Sequence, residues 1–175
     1  MSEGAGWTMR SAGVDDAERL ALIAGAAFLD TFAGILDGDA IARHCGTVLS
    51  AASFVSCLGG GGAAWLGEAE TGRAPLGYAL VATPDLPDAL PGDLELKRIY
   101  LLSRMHGAGL GRALLEQAMS HARAAGFERL TLGVFHANTR AIGFYRHLGF
   151  EPIATRKFRV GTIDYDDVVL ALRLD

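Results

Sequence analysis

Two stretches of this chain concentrate residues whose types and spacing can do chemistry. The first, Leu101-Leu102-Ser103-Arg104-Met105-His106-Gly107-Ala108-Gly109-Leu110-Gly111-Arg112, joins an apolar strand pattern to a helical one. The first N–H groups of a helix have no partner within it and point outward, and the helix dipole adds positive potential there, so such a turn can cradle phosphate. Gly107, Gly109 and Gly111 leave the backbone open to a ligand that side chains would block. The second stretch is Asn138-Thr139-Arg140-Ala141-Ile142-Gly143-Phe144-Tyr145-Arg146-His147-Leu148-Gly149-Phe150. There Asn138 is a helix N-cap, Gly149 is a stop, and Tyr145 shares a helix face with Asn138 and Ile142.

Three phosphate-binding schemes compete for the glycine turn. The P-loop requires Lys and then Ser or Thr after its last glycine, and Arg112 and Ala113 stand there. The dinucleotide pattern requires a glycine where Arg112 is, and a place in the first βα turn of its fold. A pyrophosphate clamp for coenzyme A is the scheme that remains, beside the plain alternative of a tight turn with no ligand. Arg104 and Arg112 flank the turn as phosphate contacts or as ordinary surface charge.

Taken together, the two stretches resemble the GNAT superfamily of N-acetyltransferases. The turn matches [Q/R]-x-x-G-x-[G/A] with His106 in the first position, and the second stretch matches N-x-x-A-x-x-F-Y-x-x-x-G-F. Segments Glu95–Tyr100, Leu132–Phe135 and Phe158–Gly161, with Asp164 and Asp166, look similar to the bacterial polyamine (spermidine/spermine) N-acetyltransferase-like group. The resemblance implies an α/β fold of GNAT type, a mixed central sheet flanked by helices, spanning residues 1–175 as a single domain. It implies acetyl-CoA as cofactor, with Ile99, Tyr100 and Leu101 along the pantetheine arm and His106, Gly107, Ala108, Gly109, Leu110 and Gly111 around the pyrophosphate. Asn138 would touch the cofactor, Tyr145 would protonate the departing thiolate, and Phe28, Thr31 and Phe32 would line the acceptor groove. Phe28 and Phe32 are equally well explained as an i,i+4 core pair.

Amine acetylation also requires a base, because the nucleophile must be neutral. Glu95 at the start of the central strand is the candidate, provided that burial or a water chain raises its basicity; a solvated charge or an ion pair is the alternative. The expected function is transfer of acetyl from acetyl-CoA to a primary amine, a polyamine or other small amine. A protein or peptide acetyltransferase and a non-catalytic CoA-binding sensor are the alternatives.

These residues must be positioned by a regular framework. Trp7–Arg10 reads as a first strand, followed by a helix that Asp15 or Asp16 caps, and a second helix with Ile41, Cys45, Val48 and Leu49 inward. Ala51–Leu58 reads as a third helix, and Ala63–Glu68 and Leu76–Thr83 as a strand pair. Glu95–Leu102 follows, with Leu96, Arg98, Tyr100 and Leu102 alternating against Glu95, Lys97, Ile99 and Leu101. Gly109–Ala125 is a helix, the segment around Leu130–Val134 a strand, and Phe150–Val160 and Val168–Leu174 the last two strands. The 175 residues are half hydrophobic and carry a formal charge of −4, which disfavours a nucleic-acid partner. Nothing resembles a secretion signal or a membrane span, so the expected location is cytoplasmic. A small-molecule amine is the expected partner, with a homodimer open. Cys45 and Cys57 form no C-x-x-C arrangement, and no metal site is expected.

Overall fold

The computed structural model describes residues 6–175. Strand β1 is Trp7–Ala12, and helices α1, α2 and α3 are Ala17–Phe32, Gly38–Thr47 and Ala51–Gly59. Strands β2, β3 and β4 are Ala63–Ala69, Pro75–Ala82 and Asp93–Leu101. Then come α4 (Leu110–Ala124), β5 (Arg129–Phe135), α5 (Thr139–His147), β6 (Glu151–Val160) and β7 (Ile163–Arg173). The strands form one seven-stranded sheet in the order β1-β2-β3-β4-β5-β7-β6. Among the described residues its only parallel pair is β4 with β5, and the remaining neighbours are antiparallel.

Side-chain caps set several helix starts: Asp37 accepts from the Ala40 N–H, Ser50 from Ser53 and Asn138 from Ala141. Asp16 occupies the N-cap of α1 without capping it, because its carboxylate accepts from the Gly13 N–H and from Arg10. In α2 the inward residues are Ala40, Ile41 and His44, whereas the expected Val48 is 40% exposed.

Helices cover both faces of the sheet and make two cores. Leu20, Ile23, Phe28 and Phe32 of α1 pack with Phe54, Leu66, Tyr78 and Leu80 on one face. Leu110, Leu114, Leu115 and Ala118 of α4 pack with Leu96, Leu130, Leu132 and Tyr145 on the other. Each fully buried leucine stabilises the fold by about 1.5–3 kcal/mol. The Leu110 side chain is an anchor: it fills a hollow over the paired Gly67 and Gly77, and a Cβ on Gly67 would run into it. At the edge of the sheet, buried Glu68 accepts hydrogen bonds from Arg10, Arg19 and Arg73, tying β1, β2 and α1 together. The Arg10 hydrogen bond leads in holding this carboxyl below its usual range.

Strand β4 departs from simple alternation. Leu80 pairs with Arg98 but Val81 pairs with Leu96, so Lys97 is an extra residue and the strand bulges. Leu96 therefore shares the α4 face with Ile99 and Leu101, whereas Tyr100 faces α1 and Arg98 lies over the Phe54 ring, 5.7 Å from its centroid. Strand β7 starts at Ile163, five residues before the expected Val168. The acidic run Asp164–Asp167 belongs to the strand, and Arg159–Asp164, Lys157–Asp166 and Arg156–Asp167 are cross-strand ion pairs in register with β6.

Candidate active site

The parallel ladder between β4 and β5 contains only Asp93↔Arg129, Leu94↔Leu130 and Glu95↔Thr131. Beyond Glu95 the two strands are not paired. Leu102 N–H donates to Leu76 O, toward β3, so the alternation of strand backbone turns the N–H groups of Ile99 and Leu101 the other way, into the gap. Two cavities open along it. One, of about 550 Å³, runs by Thr31, Ile99, Leu101 and the glycine turn to Asn138 and Phe144. The other, of about 260 Å³, lies between α1 and α2 on one side and β5–β7 on the other. Ile99, Tyr100, Asn138, Ala141 and Tyr145 line both.

The glycine turn forms the far end of the larger cavity. Gly107 has φ +83° and Gly109, the N-cap of α4, has φ +81°, a backbone that L side chains rarely adopt. Ala108 N–H returns to Met105 O and Ala113 N–H to Gly109 O. Among the described residues the N–H groups of Gly107, Gly109, Leu110, Gly111 and Arg112 have no such acceptor, and Gly107, Gly109, Gly111 and Arg112 line the cavity. This end suits a pyrophosphate: open amides, a helix N-terminus and the guanidiniums of Arg112 and Arg140. Ala108 turns away from the cavity, and its carbonyl accepts from the Trp7 indole at 3.0 Å. Arg104 stands exposed outside the cavity. His106 lines it, and desolvation, then the charge of Arg140, hold its imidazole below the ordinary value. Asp30 fixes the approach to the turn by accepting from the Ser103 N–H at 2.8 Å.

Tyr145 sits where the two cavities meet. It is buried against Phe144 and Phe150, and burial pushes its hydroxyl well above the ordinary tyrosine value, so the proton is retained. Asn138 reaches the same point, and its Oδ1 caps α5. A protonated phenol facing a cavity with open strand amides is suited to protonating a leaving anion.

Comparison with known proteins agrees with this geometry. Residues 42–150 match the Acetyltransferase (GNAT) family. An uncharacterised N-acetyltransferase of Mycobacterium tuberculosis is 33% identical over 159 residues, covering 91% of this chain and 98% of the relative. The chain belongs to the GNAT acetyltransferase family. Among solved structures, the PaiA N-acetyltransferase of Thermoplasma acidophilum, in complex with coenzyme A, superposes with a TM-score of 0.78 at 19% identity, covering 95% of this chain and 98% of that one. The yncA acetyltransferase of Salmonella typhimurium, with acetyl-CoA, gives 0.69 at 24% identity over 97% and 95%. At these identities the likeness concerns the mixed α/β GNAT fold, with its central sheet flanked by helices.

The smaller cavity of this GNAT chain is built from elements far apart in sequence. Phe28 and Phe32 of α1 are both core residues and part of its wall, whereas Thr31 lines the larger cavity and bonds back to Ala27 O. His44 stacks on Phe28 at 4.6 Å and meets Phe158 of β6 edge-on at 5.8 Å, so α2 and the β6–β7 hairpin touch across the groove. Burial, and then Arg98, depress His44 to about 4, so it is neutral. Glu95 is 2% exposed; its Oε2 accepts from the Asp85 N–H and from Lys97 Nζ at 2.7 Å. Burial outweighs these bonds and raises its carboxyl above the ordinary 4.5. Asp167 is also buried and raised, and accepts from Arg156 Nε. The Arg156 guanidinium lies flat against Gly133, where a Cβ would come within 2.7 Å of it.

Most of the residues expected at the cofactor end, and Tyr145, line these cavities together with His44, Arg98, Arg140, Arg156 and Asp167, to which the sequence alone gave no role. Of the latter, only Arg98 and Arg140 lie in stretches already singled out.

Proposed function

We propose that the protein transfers the acetyl group of acetyl-CoA to the primary amine of a small molecule. The observation that carries this reading is the position of Tyr145, on the wall of a cavity fitted for a pyrophosphate-bearing cofactor and of a second, smaller one. Acetyl-CoA supplies a thioester-activated acetyl group. The Ile99 and Leu101 N–H groups, which face the gap, would donate to its acyl carbonyl and to the carbonyls of the pantetheine arm. In the transfer, the amine nitrogen forms a bond to the acetyl carbon as the carbon–sulfur bond breaks. The amine proton passes to Glu95, directly or through water, and Tyr145 returns a proton to the thiolate.

A small acceptor is favoured over a protein or peptide because the second cavity is only about 260 Å³, and His44, Phe158 and the tight approach of Gly161 to Ala40 narrow it where α2 meets the β6–β7 hairpin. A polyamine fits less well. Asp85, Glu95 and Asp167 face Lys97, Arg98 and Arg156, giving a lining with no net negative charge to hold a polycation. Titration calorimetry with acetyl-CoA, followed by thiol-release assays over polyamines, amino acids, aminoglycosides and peptides, tests the reading. Absence of acetyl-CoA binding overturns it, and turnover confined to peptides overturns the small-molecule assignment.

A further inference from the structure

Charge pairing within the acceptor cavity is uneven. Lys97 bonds Glu95 at 2.7 Å and Asp85 at 3.0 Å, and Arg156 bonds Asp167 at 3.2 Å, so every carboxylate in the lining is already engaged. Arg98 forms no ion pair or hydrogen bond among the described residues, although it lines the same cavity. The bulge at Lys97 places it there: simple alternation would have put Arg98 on the face of Leu96, beneath α4. Its guanidinium instead lies over Phe54, close enough to His44 and Tyr100 for its charge to shift both. The surrounding wall is aromatic, formed by Phe28, Phe32, Tyr100, Phe135 and Phe158.

A half-buried cation with no internal partner, in an otherwise balanced and aromatic cavity, calls for an anion from the ligand. With its three acidic and three basic side chains, Asp85, Glu95, Asp167, Lys97, Arg98 and Arg156, the lining matches a ligand of zero net charge. The cavity's volume of about 260 Å³ lies just under the usual range of about 300–1,000 Å³ for small-molecule sites, which suits a compact ligand. Resting on the acetyltransferase reading above, we infer that the acceptor is a carboxylate-bearing amine, an amino acid with an apolar side chain, whose carboxylate is bound by Arg98. The amine lies toward Glu95 and Tyr145, and the apolar side chain lies among the phenylalanines.

The test compares phenylalanine with phenethylamine and leucine with isopentylamine, pairs that differ only in the carboxylate, with spermidine as a polycation control. Thiol release is measured with saturating acetyl-CoA, and binding of the same compounds to the CoA-loaded protein is measured by calorimetry. The expected result is a preference of about tenfold or more for an amino acid over its matched amine, the scale of one charge-assisted hydrogen-bond pair. Arg98→Met keeps a long side chain over Phe54 but removes the charge. It should abolish the preference while leaving acetyl-CoA affinity and the Tm near wild type; Arg98→Lys should restore part of it. Equal or better use of the plain amines or of spermidine overturns the inference, as does a preference that survives in Arg98→Met. So does the absence of both binding and turnover for every amino acid in a protein that still binds acetyl-CoA. Loss of acetyl-CoA binding itself would instead strike the acetyltransferase reading, so the two failures are distinguishable.

Discussion

The side chain of Leu110 lies directly over Gly67: a Cβ on that glycine would stand 2.5 Å from Leu110 Cδ1. Leu110 is the first residue of α4 and directly follows Gly109, the N-cap whose amide faces the proposed pyrophosphate. The packing of one leucine on a backbone without side chains therefore sets the height of the cradle above the sheet. Gly67→Ala should destabilise the protein by about 1–3 kcal/mol through overpacking and weaken acetyl-CoA binding. Gly46→Ala, inside α2 with open space around it, is the control and should be neutral or slightly stabilising. Urea denaturation and calorimetry check both; an unchanged affinity in a destabilised Gly67→Ala would separate the core from the cradle.

Tyr145 holds its proton because burial disfavours the phenolate. Tyr145→Phe keeps the ring between Phe144 and Phe150 and removes only the hydroxyl. The expected result is a fall in kcat of about 10²-fold, within the range of general acid catalysis, with little change in acetyl-CoA affinity. A variant with wild-type kcat would exclude Tyr145 as the proton donor.

The glycine turn and the helix face that carries Tyr145 were legible because each rests on local rules, whereas the role of Tyr145 was implied only by the resemblance. Backbone amides at a strand-to-helix turn and a capped helix of fixed periodicity keep their geometry wherever the fold places them. Of the acceptor groove, Phe28 and Phe32 were legible, but not the walls that face them, because α2, β6 and β7 bring His44, Arg156, Phe158 and Asp167 from distant parts of the chain. Arg98 was assigned to the face of Leu96, since both alternating sets of β4 end in apolar residues and nothing local marks Lys97 as a bulge. The early start of β7 was hidden for a similar reason. Asp164, Asp166 and Asp167 precede the apolar run from Val168, and only Arg159, Lys157 and Arg156 of β6 opposite them make them part of the strand. The helical pattern of Leu110 was visible, but not which way its side chain pointed, because the hollow that receives it is made by Gly67 and Gly77 on other strands.

Burial raises the Glu95 carboxyl, against the opposing pull of Lys97 and of the Asp85 N–H, moving it in the direction an amine base requires. Only its ionised form can take a proton. The kcat/KM profile should therefore fall on its acidic side at a pH above the ordinary glutamate value of 4.5. Glu95→Gln should lower kcat/KM by about 10²-fold or more and remove that limb, with acetyl-CoA affinity retained. Asp167→Asn should keep it. If the limb disappears in Asp167→Asn and persists in Glu95→Gln, the base is Asp167.

His44 links stability to pH. Its imidazole, 6% exposed between Phe28 and Phe158 and facing Arg98, is depressed from 6.5 to about 4, chiefly by burial. In the unfolded chain it takes up a proton near 6.5, and in the folded protein only near 4. Its neutral burial therefore costs nothing above pH 6.5, and stability falls as pH drops through 6.5 toward 4, by at most about 3 kcal/mol at the lower end. His44→Gln removes the titrating group and should be less stable than wild type at pH 7.5, where the aromatic stacking is lost, yet lose less stability on going to pH 4.5. Urea midpoints at both pH values measure the difference, and parallel losses in the two proteins would show that His44 is not the group responsible.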